Sequence, residues 1–374
     1  MLNAFTFFIG DFMYYCMKFK YIVIIIITLV LVFAVVGLKP HIERKEMIKE
    51  EAEFKKKLNV PAKEQETQPE KKDYIKWVDF DVSKNAMDYA YKYDVSSYGD
   101  ENHVKMVELL AYLGAKYGGD FSRFKYKDIY DLTSKINNET SFSEIVGDMK
   151  YYSYYREAYG AVLDGFVGEF TINGENRYGL KVFSPIGGGY GYSHFDDFGV
   201  SRSYGYRRKH LGHDLMNGVG TPVIAVESGY IEAVGWNQYG GWRIGIRSFD
   251  KKRYYYYAHL RKDHPYARDF KEGDCVMAGD VIGYMGMTGY STKENVNNIN
   301  TPHLHIGLQL IFDESQKDGI NQIWIDLYDI TNFLAVNQSY VKREGNELVR
   351  KNSFSEQSVV DYNKGDKNDY HITP

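Results

Sequence analysis

Two periodicities divide the chain. Between Trp77 and Phe170 apolar positions recur at helical spacing. In His103–Gly119, Met106, Leu110, Leu113 and Tyr117 keep the i, i+4, i+7, i+11 rhythm of one helix face, and Gly118–Gly119 suits a stop. Gly114 interrupts that face without ending it. Tyr151–Gly165 repeats the pattern. From Thr171 the texture changes to short alternating runs broken by glycine, which predicts strands within Thr221–Trp236, Trp242–Phe249, Arg253–Leu260 and Asp280–Gly289. A third pattern is unbroken: Tyr21–Leu38 is eighteen residues without a charge, about 27 Å as a helix and enough to cross a bilayer core. It is long for a signal-peptide core and lacks an A-x-A site, so it reads as an uncleaved signal anchor.

The expected organisation is an α+β multidomain chain. Residues 1–20 form an N-terminal tail, 21–38 a transmembrane helix and 39–73 a charged stalk. A small helical domain follows over 74–170, then an all-β domain built on antiparallel sheet over 171–340, and a disordered polar tail over 341–374. A short charged n-region beginning at Met17 makes the first sixteen residues read as an upstream extension. Lys18 and Lys20 precede the span, but Lys39, Arg44, Lys45 and Lys49 follow it, and that count alone favours the opposite orientation to the one adopted below.

Composition narrows the chemistry. A length of 374 residues suits two folded units plus extensions, and 46 basic against 50 acidic residues, a net charge of -4, gives no reason to expect a nucleic-acid partner. Cys16 and Cys275 lie on opposite sides of the apolar span, so a disulfide between them is not expected. C-x-x-C patterns are absent, and a metal would have to be held by histidine and carboxylate.

Those residue types recur in the β half. His210 and Asp214 stand four apart in "HLGHD", with His213 beside the aspartate. His259 follows a tyrosine-rich strand in "YYAHL", and "TPHLHIG" places His303 and His305 on one face of a strand. A catalytic zinc site takes three nitrogen or oxygen ligands and keeps a fourth position open. One histidine, one carboxylate and a second histidine satisfy it, leaving two histidines for a water and an oxyanion. Each piece alone is common in structural roles.

In order and interval, "HLGHD", "GTPVIAVESGYI", "YYAHL", "GDVIGYMGMTGYS" and "PHLHIG" resemble the lysostaphin/LytM-type peptidoglycan zinc endopeptidases over Tyr204–Gly307. The resemblance covers less than a third of the chain and implies a compact antiparallel β-sheet metallopeptidase domain with a groove. It implies His210, Asp214 and His305 as ligands of one Zn2+ per chain. His259 and His303 would flank the attacking water as base and oxyanion stabiliser, in an order the sequence leaves open. Tyr204, with Tyr206 as a substitute, would help hold the tetrahedral intermediate. Two departures stand out. Lys293–Asn300 is inserted before "TPHLHIG", and "IGLQL" follows the histidine pair where an aromatic and a glutamate are common. Neither removes a ligand, and the insertion is expected to reshape the groove rim.

The implied activity is a membrane-anchored enzyme cutting peptide stems or crossbridges of bacterial peptidoglycan. It would be attached through Tyr21–Leu38 with its catalytic domain extracytoplasmic, and it leaves room for a regulatory protein partner. The rival is a catalytically silent envelope scaffold on the same fold. Such relatives usually lose a ligand or a flanking histidine, whereas this chain keeps them all. Other residues read as structural: His213 turned from the metal, His194 with Asp196 and Asp197 in a surface loop with a role at the groove rim as the alternative, His264 exposed, and Cys275 a packed small hydrophobe. "NNETSF" around Glu139 faintly resembles a lytic transglycosylase segment, but reads better as a helix start capped by Ser141 or Thr140, with Glu144 in the first turn.

Overall fold

The computed structural model describes residues 74–137, 141–203, 207–319 and 321–364. Its helices are α1 (Lys84–Ser96), α2 (Met106–Tyr117), α3 (Tyr126–Asn137), α4 (Phe142–Val146), α5 (Tyr152–Leu163), α6 (Tyr328–Leu334) and α7 (Gln357–Lys364). The first strands are β1 (Val167–Ile172), β2 (Glu175–Leu180), β3 (Ser201–Ser203), β4 (Arg207–Lys209), β5 (His213–Met216), β6 (Pro222–Ile224), β7 (Gly229–Asn237) and β8 (Gly241–Ser248). They are followed by β9 (Arg253–Ala258), β10 (Cys275–Val276), β11 (Val281–Tyr284), β12 (His303–Leu310), β13 (Ile323–Ile325), β14 (Val341–Glu344), β15 (Glu347–Arg350) and β16 (Phe354–Ser355).

Strand β12 organises the main sheet, whose order is β10-β7-β8-β9-β12-β13, with β5 also paired to β12. All the pairings are antiparallel. The alternation in "HLHIGLQL" assigns its two faces. Leu304, Ile306, Leu308 and Leu310 are buried in the core, and His303, His305, Gly307 and Gln309 take the other face. β9 runs along one edge of β12, while β5 and β13 share the other edge end to end. A slip of one residue would bury the histidines and expose the leucines, so burial sets this register.

The helical segment supplies the lid of that core. In α2, Leu109, Leu110 and Leu113 are fully buried, and Gly118 ends the helix in the left-handed conformation at φ 67°. Gly114 is explained by packing. A Cβ there would stand 2.8 Å from the Tyr159 ring of α5, so only glycine lets the two helices approach this closely. α4 starts at a capping box between Ser141 and Glu144, as the sequence suggests. One buried cluster runs from Met87, Leu110 and Tyr159 of the helices to Ile246, Tyr257 and Leu308 of the sheet, and the described residues fall in one compact unit. The helical and β regions, expected as two domains, thus share one core.

The segment expected as a disordered tail is a second difference, over 341–364. β14 and β15 form a hairpin through Gly345, β16 pairs with β1, and α7 buries Val359 and Tyr362. Phe354 explains the ordering: it is buried against the rings of Phe170 and Phe183. The 1–20 tail, the Tyr21–Leu38 span and the 39–73 stalk lie outside the described residues, as does Glu139. Among the described residues no helix is long and apolar enough to cross a membrane.

Candidate active site

Three elements bring the candidate metal-ligating side chains together. Asp214 of β5 stands directly opposite His305 of β12, so their Cβ atoms share a face. His210 enters from the turn before β5, four residues ahead of Asp214. The intervening Gly212 is what lets His305 in: a Cβ at that position would lie 2.4 Å from His305 Cε1. His305 Nδ1 is 2.9 Å from Asp214 Oδ1 and 3.1 Å from His210 Nε2, and His210 Nε2 is 3.2 Å from Asp214 Oδ1. Among the described residues these three form the group whose donor atoms could hold a metal ion. Zinc at about 2.0–2.1 Å from tetrahedral ligands separates neighbouring donors by about 3.3 Å. Two imidazole nitrogens and a carboxylate oxygen at these spacings therefore fit it.

The surroundings hold the donors ready. His210 Nδ1 donates to Asp197 Oδ1 at 3.0 Å, which turns Nε2 toward the cluster. Arg202 donates from Nη1 to Asp214 Oδ2 at 2.7 Å and from Nη2 to Asp197. Burial alone would raise the Asp214 carboxyl. Hydrogen bonds from His210 and His305, with the charges of His305 and His303, hold it well below the usual carboxylate range. Burial pulls His305 down, against the opposing pull of Asp214, and so favours the neutral imidazole that a metal needs.

His303 and His259 flank this cluster. Strand alternation would send His259 to the face away from Ala258. Its left-handed φ of 63° re-aims the ring, whose centroid lies 4.8 Å from that of His303 and 5.8 Å from that of His305. His259 Nδ1 lies 2.9 Å from Thr288 O, and His303 Nδ1 2.8 Å from Thr301 O. A carbonyl only accepts, so both Nδ1 atoms carry the proton and Nε2 is the free nitrogen of each ring. Burial drives His259 well below the ordinary histidine range, with the neighbouring His303 and His305 adding to the effect. His303 Nε2 is 3.8 Å from Asp214 Oδ2.

A groove of about 740 Å³ runs from His210, His259 and His305 across Tyr254 and Tyr256 to Trp324. The inserted segment Lys293–Asn300 is pinned at its side. Asn295 Oδ1 accepts from Trp242 Nε1 at 2.9 Å, and Asn298 lines a hollow with Tyr239 and Tyr290.

Tyr204 and Tyr206 lie outside the described residues. His213, fully buried, faces away from the cluster and pairs its Nε2 with His194 Nδ1 at 2.7 Å; burial and His194 bring its pKa down to about 4. His194 and Asp197 lie in the expected loop, half-buried, with Asp197 turned to His210 and Arg202, and the roles of Asp197 and Arg202 are what sequence reasoning missed. Neither has a diagnostic spacing, and the acidic pair Asp196–Asp197 in an aromatic loop is the only signal. His264 stacks on Tyr284 and pairs with Glu347 at 3.1 Å. Cys275 is half-buried on β10.

Residues 208–318 match peptidase family M23. The L-Ala–D-Glu endopeptidase of Bacillus subtilis is 36% identical over 155 residues, 41% of this chain and 46% of that protein. The glycyl-glycine endopeptidase ALE-1 of Staphylococcus capitis is 39% identical over 118 residues, 31% of this chain and 27% of that protein. The solved catalytic domain of lysostaphin from Staphylococcus simulans is 32% identical and aligns over 38% of this chain and 92% of that one, with a TM-score of 0.30. The chain spans under half the length of each of the two endopeptidases. Residues 208–318, the segment that matches the model of peptidase family M23, contain all three candidate metal-ligating residues and both flanking histidines, and in that segment the chain is similar to this family of zinc metalloendopeptidases.

Proposed function

We propose that the protein is a membrane-anchored zinc endopeptidase hydrolysing peptide bonds of bacterial peptidoglycan, with Tyr21–Leu38 as a single-pass anchor and the rest outside the cytoplasm. The observation that carries this reading is the convergence of His210, Asp214 and His305 beside two further histidines at one end of an open groove. Relatives named for an L-Ala–D-Glu bond and for a glycyl-glycine bond point to wall peptides, because D-amino acids are a feature of those polymers.

Zinc, when bound here, supplies Lewis acidity to the scissile carbonyl and lowers the pKa of a water toward about 7. The chain supplies the rest. His303 is the better base, because its free Nε2 lies 3.8 Å from the Asp214 carboxylate, which stabilises the imidazolium formed when that nitrogen takes a proton. His259, fixed through Nδ1 on the Thr288 carbonyl, leaves Nε2 as its free nitrogen, which must take up a proton before it can donate to the developing oxyanion. Arg202 and Asp197 keep Asp214 and His210 from rotating away.

The test is digestion of purified sacculi by the zinc-loaded protein, read by mass spectrometry of the released fragments. Peptide cleavage that stops on chelation and returns with zinc is expected. Failure to release peptides from sacculi of any source would leave the silent scaffold as the better account. Orientation is tested separately by protease added to spheroplasts, where complete protection of residues 171–340 would refute it.

A further inference from the structure

The groove floor beyond the metal-ligating cluster carries a charge that the chain itself leaves unanswered. On the open face of the sheet His305 stands opposite Ala258, and on the next strand Ile244 opposes Tyr257. Arg243, the neighbour of Ile244, therefore lies in line with Ala258 and His305, two strand spacings or about 10 Å away. It lines the same groove, together with Tyr254 and Tyr256. Its Nη1 is buried without a hydrogen-bond partner.

Other cations on this side are occupied. Lys317 pairs with Glu232, Arg247 with Glu232 and Glu314, and Arg208 stacks on Tyr290; Lys209 also lines the groove, but as an exposed, solvated ammonium. Asp318 is the carboxylate on the groove wall, and among the described residues neither it nor any other acid forms an ion pair with Arg243. A guanidinium stays charged at every ordinary pH, and its buried donors are costly to leave unmade. Burial pushes the neighbouring Tyr256 hydroxyl up to about 12, so it remains neutral and cannot act as the counter-ion. A planar fork in this position matches a carboxylate, which it can grip through two parallel hydrogen bonds.

We propose that Arg243 forms an anion subsite of the groove, so that the favoured substrate is a peptide with a free carboxylate close to the scissile bond. At about 3.3–3.6 Å per extended residue, 10 Å places that carboxylate within about three residues of the bond. Peptides amidated at that carboxylate, and all-glycine bridges, are then the poorer substrates. The inference rests on the peptidase reading above and names the kind of peptide that the groove selects.

The test uses two synthetic wall peptides that differ only in a free or an amidated carboxylate next to the cleaved bond. Binding is followed by tryptophan fluorescence, since Trp324 lines the groove, and hydrolysis by chromatography, both with zinc-loaded full chain. The free acid should bind and be cleaved about 10- to 100-fold better, mainly through KM. Arg243→Gln should bring that ratio close to one, and Arg243→Lys should keep part of it. Equal binding of both peptides by the unaltered protein overturns the subsite whether or not either is cut, and so does a preference that survives in Arg243→Gln. Preferential binding of the acid with no cleavage of either peptide keeps the subsite and sinks the endopeptidase reading instead.

Discussion

His210 is gripped from both ends of its ring, by Asp197 at Nδ1 and by the other donors at Nε2. Such outer partners typically contribute 10- to 100-fold in metal affinity, so Asp197→Ala should weaken zinc binding by about that factor in a chelator competition while leaving the three donors in place. Removing a donor is different in kind. His305→Ala should lose metal and activity together. His303→Ala and His259→Ala should keep zinc, with cleavage rates down about 10²–10⁴-fold for a proton-transfer group and 10²–10³-fold for an oxyanion donor. If His303→Ala cleaves as fast as the unaltered protein, the base assignment is wrong although the family match over 208–318 stands. The three side chains that converge here were singled out in the sequence only through the family resemblance, since H-x-x-x-D and H-x-H each recur by chance and in structural roles. Asp197 and Arg202 were not, because a side chain that acts through a ligand's far side is constrained by the fold and not by the chain's local register.

At the scale of elements, the joint between helices and sheet is a buried ion pair. Arg253, on β9, donates from Nε and Nη2 to the two oxygens of Glu227 at 2.8 and 2.9 Å, and from Nη1 to Ala161 O at the end of α5. Tyr255 Oη also donates to Glu227. Arg253 Nη2 also reaches Asp250 Oδ2 at 2.9 Å, so removing Glu227 leaves the buried charge with a single, partly exposed counter-ion. Glu227→Ala should therefore cost up to about 3–5 kcal/mol in urea unfolding. A cost below about 1 kcal/mol would mean that water reaches the guanidinium and that the joint lies elsewhere. None of this was visible in "RYYYYAHL", which reads as a strand and conceals that Arg253 points into the core. The polar stretch after Val341 misled for the opposite reason. Its hairpin and α7 are held by few apolar residues, and Phe354 and Tyr362 carry a burial that average composition hides.

For the whole molecule, pattern separated helical from β texture correctly but could not say whether the two regions share a core. Periodicity reports which face of an element is apolar, not what covers it. Here the helices cover the sheet. Arg253 of β9 reaches the Ala161 carbonyl of α5 at 2.9 Å, and beside the sheet Tyr91 of α1 packs edge-on against Phe333 of α6 at 5.9 Å while Gln316 Nε2 donates to Ile75 O at 3.0 Å. The family match at 208–318 leaves the helices out, and so it too suggests a catalytic domain separable from them. The shared core argues against separability. Uncovering even five large apolar side chains, at about 1.5–3 kcal/mol each, equals the whole stability of a typical domain, about 5–15 kcal/mol. A chain beginning at residue 74 should unfold in one transition, with far-ultraviolet circular dichroism and tryptophan fluorescence coinciding. A chain beginning at Val167, which keeps the metal-ligating and flanking histidines but none of the five preceding helices, should be insoluble or lack a cooperative transition even with excess zinc. If that shorter chain instead folds cooperatively, binds zinc and matches the longer one in midpoint, the helices are an accessory layer and the sheet carries its own core.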